Sequence, residues 1–134
     1  MATIRDLMTT SVVAVEPQTS VAQAAAAMIA ARVGSAVVLQ GAFLAGILTE
    51  RDVLRAAASG RDLRESPVAD WMTPDPKSAG PDAAAEEAAQ IMLLHGFRHL
   101  PVVVGKQVCG VVSLRDLFAA RIRRDGSRVA GGGS

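Results

Sequence analysis

A chain of 134 residues is long enough to bury one core of ordinary size and too short for several. Half of its residues are hydrophobic but only 3% are aromatic, so the core must come from Ala, Val, Leu, Ile and Met, and such small side chains imply closely packed helices. Fourteen Lys and Arg against thirteen Asp and Glu leave a formal charge of +1, which excludes a general attraction to nucleic acid or anionic membrane, and the single cysteine, Cys109, excludes an intrachain disulfide.

In chain order, the N-terminus carries no basic-plus-apolar leader, and no apolar run approaches the roughly 18 residues of a membrane span. A soluble, cytoplasmic protein in a reducing compartment is expected. Ile4 to Thr9 is a short amphipathic segment ending in Met-Thr, and a short β stretch follows as far as a turn at Pro17. Ser20 to Ala31 is rich in Ala, Gln and Met and predicts a helix with Ser20 as its N-cap. Ala36 to Gln40 and Phe43 to Leu48, separated by a turn containing Gly41, predict a hairpin, and Glu50 to about Ala58 a second helix.

After a polar linker around Ser59 to Pro67 the same order returns. Val68 to Thr73 ends again in Met-Thr, and Pro81 repeats the turn. Ala83 to His95 predicts a helix with Asp82 as N-cap, Pro101 to Val104 and Val108 to Val112 a hairpin, and Leu114 to about Arg121 the closing helix. Thr49 and Ser113 lie 64 residues apart, and this offset aligns residues 4 to 58 with 68 to 122 without an insertion. Identical pairs include Asp6 with Asp70, Met8 with Met72, Pro17 with Pro81, Gly46 with Gly110, Arg51 with Arg115 and Asp52 with Asp116. An Ala-rich composition cannot place Pro, Met, Gly, Arg and Asp in one register, so the chain is a duplication. Two copies of this length are not a solenoid, and two units packed face to face are expected. Residues 123 to 134, without periodicity, are expected to be a disordered tail.

The repeated phrases Thr49-Glu-Arg-Asp52 and Ser113-Leu-Arg-Asp116 stand where strand becomes helix and fit a capping box. Capping alone leaves three features unused: Asp is shorter than the Glu or Gln that closes such a box best, an Arg sits in the first helical turn where the dipole disfavours it, and the arrangement occurs twice. Free amides, a hydroxyl and a guanidinium suit phosphate oxygens, whereas a carboxylate suits a ribose diol. Together they suggest a nucleotide.

The Gly-apolar-apolar-Thr/Ser-x-x-Asp phrase, the Met-Thr opening and Arg98-His99-Leu100-Pro101 resemble the CBS domain family over residues 4 to about 122. The resemblance implies an α/β fold of two tandem β-α-β-β-α repeats, residues 1-63 and 64-122, forming one Bateman module. Its two three-stranded sheets would pack together around a pseudo-twofold axis, leaving two clefts for adenosine-containing ligands. Asp52 and Asp116 would then hold ribose, and Thr49, Ser113, Arg51 and Arg115 would face phosphates. Leu48 and Val112 would border the base, together with Thr9, Thr10 and the segment to Val12, Thr73 to Pro76, Gly34 to Val37, and Arg98 to Pro101. The copies differ where Gly34-Ser35-Ala36-Val37 corresponds to Arg98-His99-Leu100-Pro101, so the second cleft is expected to hold polyphosphate more tightly through Arg98 and His99.

Other polar residues read as structural. His95 beside Gly96 complements a helix end, Cys109 belongs to a strand, and Met28 and Met92 fill core gaps. Glu86 and Glu87, adjacent on a helix, point about 100° apart and read as a solvated face. Arg121, Arg123 and Arg124 read as a helix-end charge complement. With no nucleophile, metal cluster or phosphate-binding glycine loop, the expectation is a non-enzymatic sensor of AMP, ADP or ATP, with S-adenosylmethionine or NAD as further candidates. The Ala-rich helices and the resemblance imply a disc-like homodimer, with a separate enzyme or transporter as a further candidate partner. The alternatives are an interaction protein with vestigial clefts and, with little weight, a nucleotide hydrolase using Asp116 as base.

Overall fold

The computed structural model describes residues 2–121. Its elements are α1 (Ile4–Leu7), β1 (Ala14–Val15), α2 (Val21–Ala31), β2 (Ser35–Gln40), β3 (Phe43–Thr49) and α3 (Glu50–Ala58). A 3-10 turn (Val68–Asp70), β4 (Thr73–Pro74), α4 (Ala85–His95), β5 (His99–Val104), β6 (Gln107–Ser113) and α5 (residues 114–121) follow. The expected tail, with Arg123 and Arg124, lies outside the described residues.

The long helices form for the same reason in both halves. Val21, Ala24 and Met28 in α2, and Ala85, Ala88 and Met92 in α4, recur at the spacing that makes one helical stripe, and all six are buried. The Ser20 hydroxyl accepts a hydrogen bond from the Gln23 N–H at 3.0 Å, as an N-cap should. Asp82 does not cap α4. The N-cap falls two residues later, at Ala84, the counterpart of Ser20, and the Asp82 carboxylate instead pairs with Arg5 at 2.9 Å. The second half therefore lacks a side-chain cap worth about 1 kcal/mol. Both hairpins close through two-residue loops, Gln40 pairing Phe43 and Val104 pairing Gln107. Gly41 and Gly105 adopt φ of 62° and 61° at the first loop position, where such turns favour glycine.

The halves do more than pack face to face. Each sends its leading segment into the other. The Ile4 and Arg5 N–H groups donate to the carbonyls of Ala83 and Pro81, and 64 residues on, Val68 and Ala69 donate to Thr19 and Pro17. Thr9 pairs antiparallel with Val111, and Thr73 with Ile47. The first sheet consequently has four strands, β1-β2-β3-β4, rather than the three expected, because β4 arrives from the second half. In the second sheet, bridges at Ala79 and Thr9 flank β5 and β6 on the two sides. Gly46 and Gly110 explain their own repetition: a Cβ on Gly110 would lie 2.7 Å from Met8 Sδ and 2.9 Å from the Thr9 carbonyl oxygen, and one on Gly46 would lie 2.5 Å from Met72 Sδ.

Two cores result. Val21, Met28, Val38 and Leu48 enclose Val68 of the other half, with Trp71 and Met72 at the margin. Met92, Leu100, Val102 and Val112 enclose Ile4, with Leu7 and Met8 alongside. Full burial of Ile4 and Val68 contributes roughly 1.5–3 kcal/mol each, so the exchange ties the two repeats into one α/β unit.

Candidate ligand cavity between the repeats

The exchange also builds a cavity of about 610 Å3. The Thr9–Val111 bridge lays the loop through Ser11 to Val13 along β6, and the Val13 carbonyl accepts the Val37 N–H at 2.9 Å, fixing the loop at both ends. Gly34 and Ser35 enter from the first repeat, and Arg98, His99, Ser113, Arg115 and Asp116 from the second. The backbone orients these groups reciprocally: the Gly34 carbonyl accepts from the Glu50 N–H at 3.0 Å, and the Arg98 carbonyl from the Leu114 N–H at 2.8 Å.

Of the residues singled out from the sequence, Thr9, Arg98, His99, Ser113, Arg115 and Asp116 therefore meet around one cavity, whereas Thr10, Thr49, Arg51, Asp52 and Thr73 do not line it. Leu48, Pro101 and Val112 are fully buried and do not line it either. Alternation along β6 turns Val112 inward and leaves Val111 and Ser113 on the cavity side. Arg32 was missed. It lines the same cavity from the C-cap of α2, in a left-handed conformation (φ 57°, ψ 42°) where its counterpart is Gly96. A charged residue replacing glycine at that position was the available signal.

The two repeated motifs use their atoms differently. In the first, Asp52 Oδ2 accepts from the Thr49 N–H at 2.9 Å and from its hydroxyl at 3.0 Å, and that hydroxyl accepts from the Asp52 N–H at 3.3 Å. In the second, Asp116 Oδ2 accepts only the Ser113 N–H, at 3.0 Å, and the Ser113 hydroxyl accepts from the Asp116 N–H, also at 3.0 Å. Asp116 Oδ1 and the Ser113 hydroxyl proton have no protein partner among the described residues. Arg32, Arg98 and Arg115 form no ion pair there either, unlike Arg5, Arg55 and Arg64.

A methyl group on Gly34 would lie 3.1 Å from His99 Cε1 and 3.4 Å from Glu50 Oε1, so imidazole, carboxylate and glycine meet at one point on the cavity wall. Burial lowers the His99 pKa below its ordinary 6.5, outweighing the opposing pull of Glu50 and Asp116. At neutral pH this favours the uncharged imidazole. Among the described residues no cluster of His, Cys, Asp or Glu is placed to hold a metal, and no helix is long and apolar enough to cross a membrane.

Comparison with known families decides the lineage. The profile of the CBS domain matches residues 4–59 and again 68–123. The chain belongs to the CBS domain family. The CBS domain-containing protein YhcV of Bacillus subtilis is 38% identical over 118 residues, covering 87% of this chain and 84% of its own. The CBS-domain containing protein ATU1752 from Agrobacterium tumefaciens superposes with a TM-score of 0.81 at 30% identity, covering 90% of this chain and 99% of that one. The CBS domain pair of protein MJ0100, solved with 5-methylthioadenosine and S-adenosyl-L-methionine, has a TM-score of 0.79 over 100% of this chain and 99% of its own. At 21% identity that CBS pair shares the fold.

Proposed function

We propose that this CBS pair is a non-catalytic regulatory module that takes an adenosine-containing nucleotide of the AMP, ADP or ATP type in the cavity beside Asp116. The observation that carries this reading is convergence: a carboxylate oxygen, a hydroxyl proton and three guanidiniums, all without a protein partner among the described residues, border one space of about 610 Å3. That volume lies within the roughly 300–1,000 Å3 of small-molecule sites. Asp116 suits the ribose diol, and Arg32, Arg98 and Arg115 suit phosphates. The adenosyl compounds held by MJ0100 support the ligand class. S-adenosylmethionine carries a sulfonium cation instead of phosphates, so three arginines favour the phosphorylated members, NAD included.

Thermal denaturation with ATP, ADP, AMP and S-adenosylmethionine tests the reading. A ligand at 100 times its dissociation constant adds about 2.7 kcal/mol, which raises the melting temperature measurably. Unchanged melting with every compound would leave the interaction protein with vestigial clefts as the function.

The output of such a module is its assembly, and its proposed partner is a second copy. Ile29 and Leu93 occupy equivalent positions on α2 and α4, as do Leu54 and Phe118 on α3 and α5, and all four are exposed. A patch that repeats itself about a pseudo-twofold axis suits the self-complementary contact of a twofold dimer. An apolar groove lined by Met28, Ile29 and Val53 continues it. Sedimentation is expected to give a dimer, and Leu54→Glu with Phe118→Glu a monomer; a monomeric unaltered chain would refute this. Ligand would act by favouring one arrangement of the copies, which a separate enzyme or transporter could read.

A further inference from the structure

We propose that Arg55 decides how many ligands the chain holds, by occupying on Asp52 the position that a ribose hydroxyl takes on Asp116. This rests on the reading of the Asp116 cavity as a nucleotide site.

Asp52 and Asp116 occupy the same place in the two repeats, yet their second carboxylate oxygens differ. Asp52 Oδ1 accepts from Arg55 Nη1 at 3.0 Å, one helical turn along α3. With Oδ2 held by the Thr49 N–H and hydroxyl, the carboxylate has a partner on each oxygen, and Asp52 is 6% exposed. Asp116 Oδ1 is free among the described residues because position 119, the counterpart of Arg55, is Ala119.

A lone exposed arginine would hold its partner weakly, since surface ion pairs contribute little. Here the guanidinium has a second support: its Cζ lies 5.8 Å from the centre of the Trp71 ring, within reach of a cation–π contact. Trp71 reaches that position only because the leading segment of the second repeat crosses into the first. Its counterpart in the other crossing segment is Leu7, which offers no such ring face. Both parts of the latch, Arg55 and Trp71, thus occur on the first repeat's side and both are missing from the second. A ligand entering beside Asp52 must displace a charge-assisted hydrogen bond that a ligand beside Asp116 does not meet, a difference of about tenfold or more in affinity.

Isothermal titration with ATP tests the proposal. The unaltered chain is expected to show one tight site, lost in Asp116→Ala. Arg55→Met, which removes the guanidinium from Asp52, is expected to show a second, weaker site besides the Asp116-dependent one, the new site lost when Asp52→Ala is added. Ala119→Arg with Leu7→Trp is expected to install both parts of the latch beside Asp116 and weaken the tight site about tenfold. Denaturation curves confirm that each variant is folded. If Arg55→Met keeps one Asp116-dependent site of unchanged affinity, or if the unaltered chain already fills two equal sites, the role of Arg55 is overturned and the cavity reading survives. If the unaltered chain has no Asp116-dependent site, the cavity reading falls. A new Asp52-dependent site in Arg55→Met would then still uphold the latch, and silence in both proteins would sink the two together.

Discussion

Placing a methyl group on Gly110 is expected to lower the melting temperature by about 10 °C. The Cβ would stand 2.9 Å from the Thr9 carbonyl oxygen, a backbone atom held by the Thr9 N–H to Val111 carbonyl bond at 2.8 Å and its reciprocal at 3.0 Å. Met8 Sδ would stand 2.7 Å from the same Cβ. Overpacking of this kind costs about 1–3 kcal/mol, and a chain of this size loses roughly 4 °C per kcal/mol. Gly46→Ala should behave alike, because Met72 Sδ and the Thr73 carbonyl stand at 2.5 and 2.8 Å. Gly80→Ala is the control: nothing lies within 4 Å of its Cβ, and its melting temperature should stay within about 2 °C of the unaltered chain. Calorimetry on the three variants distinguishes them. Equal melting of Gly110→Ala and Gly80→Ala would mean that the leading segments do not cross. The same crossing carries Thr9 to Val13 along the cavity, so Gly110→Ala should also weaken ATP, whereas Gly80→Ala should not.

Much of this architecture is legible in the residues. The constant offset between Thr49 and Ser113, the helical stripes through Met28 and Met92, and the glycine turns at Gly41 and Gly105 are local signals, and the helices and hairpins follow them. The crossing is not local. Ile4 and Val68 are apolar in either arrangement, and no periodicity says which half's core receives them. A pointer existed in Gly46 and Gly110, which sit inside strands where glycine marks close approach of another backbone.

The site was legible in part for the same reason. As candidates, Ser113, Arg115 and Asp116 stand out because their chemistry exceeds what a helix cap needs, and Arg98 through the Arg98-His99-Leu100-Pro101 resemblance. The resemblance places Leu48 and Val112 near the base, whereas the two-residue alternation of the strands turns their side chains into the cores and leaves Val111 beside Ser113. Placing a cap on Asp82 ignored the offset, which puts Ala84 opposite Ser20. Arg98 to Pro101 carries the expected inequality of the clefts, and the proposed latch adds a second source. Arg55 against Ala119 and Trp71 against Leu7 gain meaning only once Asp52 is seen accepting from Arg55.

The largest loss of affinity is expected from Asp116→Ala, about ten- to a hundredfold, and similar for AMP and ATP because both present the same ribose. The arginines should instead separate the two nucleotides. Arg98→Ala, Arg115→Ala and Arg32→Gly remove donors suited to phosphate, so ATP loses more than AMP. Arg32→Gly is the sharpest of them, since the left-handed backbone at position 32 costs a side chain of the order of 1 kcal/mol that glycine does not bear. It should bind ATP about tenfold more weakly yet melt no lower than the unaltered chain; a loss of stability with unchanged binding would make Arg32 structural. His99 adds a pH dependence whose sign is fixed by burial. Its pKa is depressed in the folded chain, so the stability it contributes is present above the ordinary 6.5 and is lost as pH falls through the lower folded value, because the unfolded chain takes the proton first. Phosphates in the cavity favour the protonated ring and oppose this shift. ATP binding should therefore take up a proton and tighten as pH falls below the ordinary 6.5 toward the lowered folded value, a trend that His99→Gln should flatten.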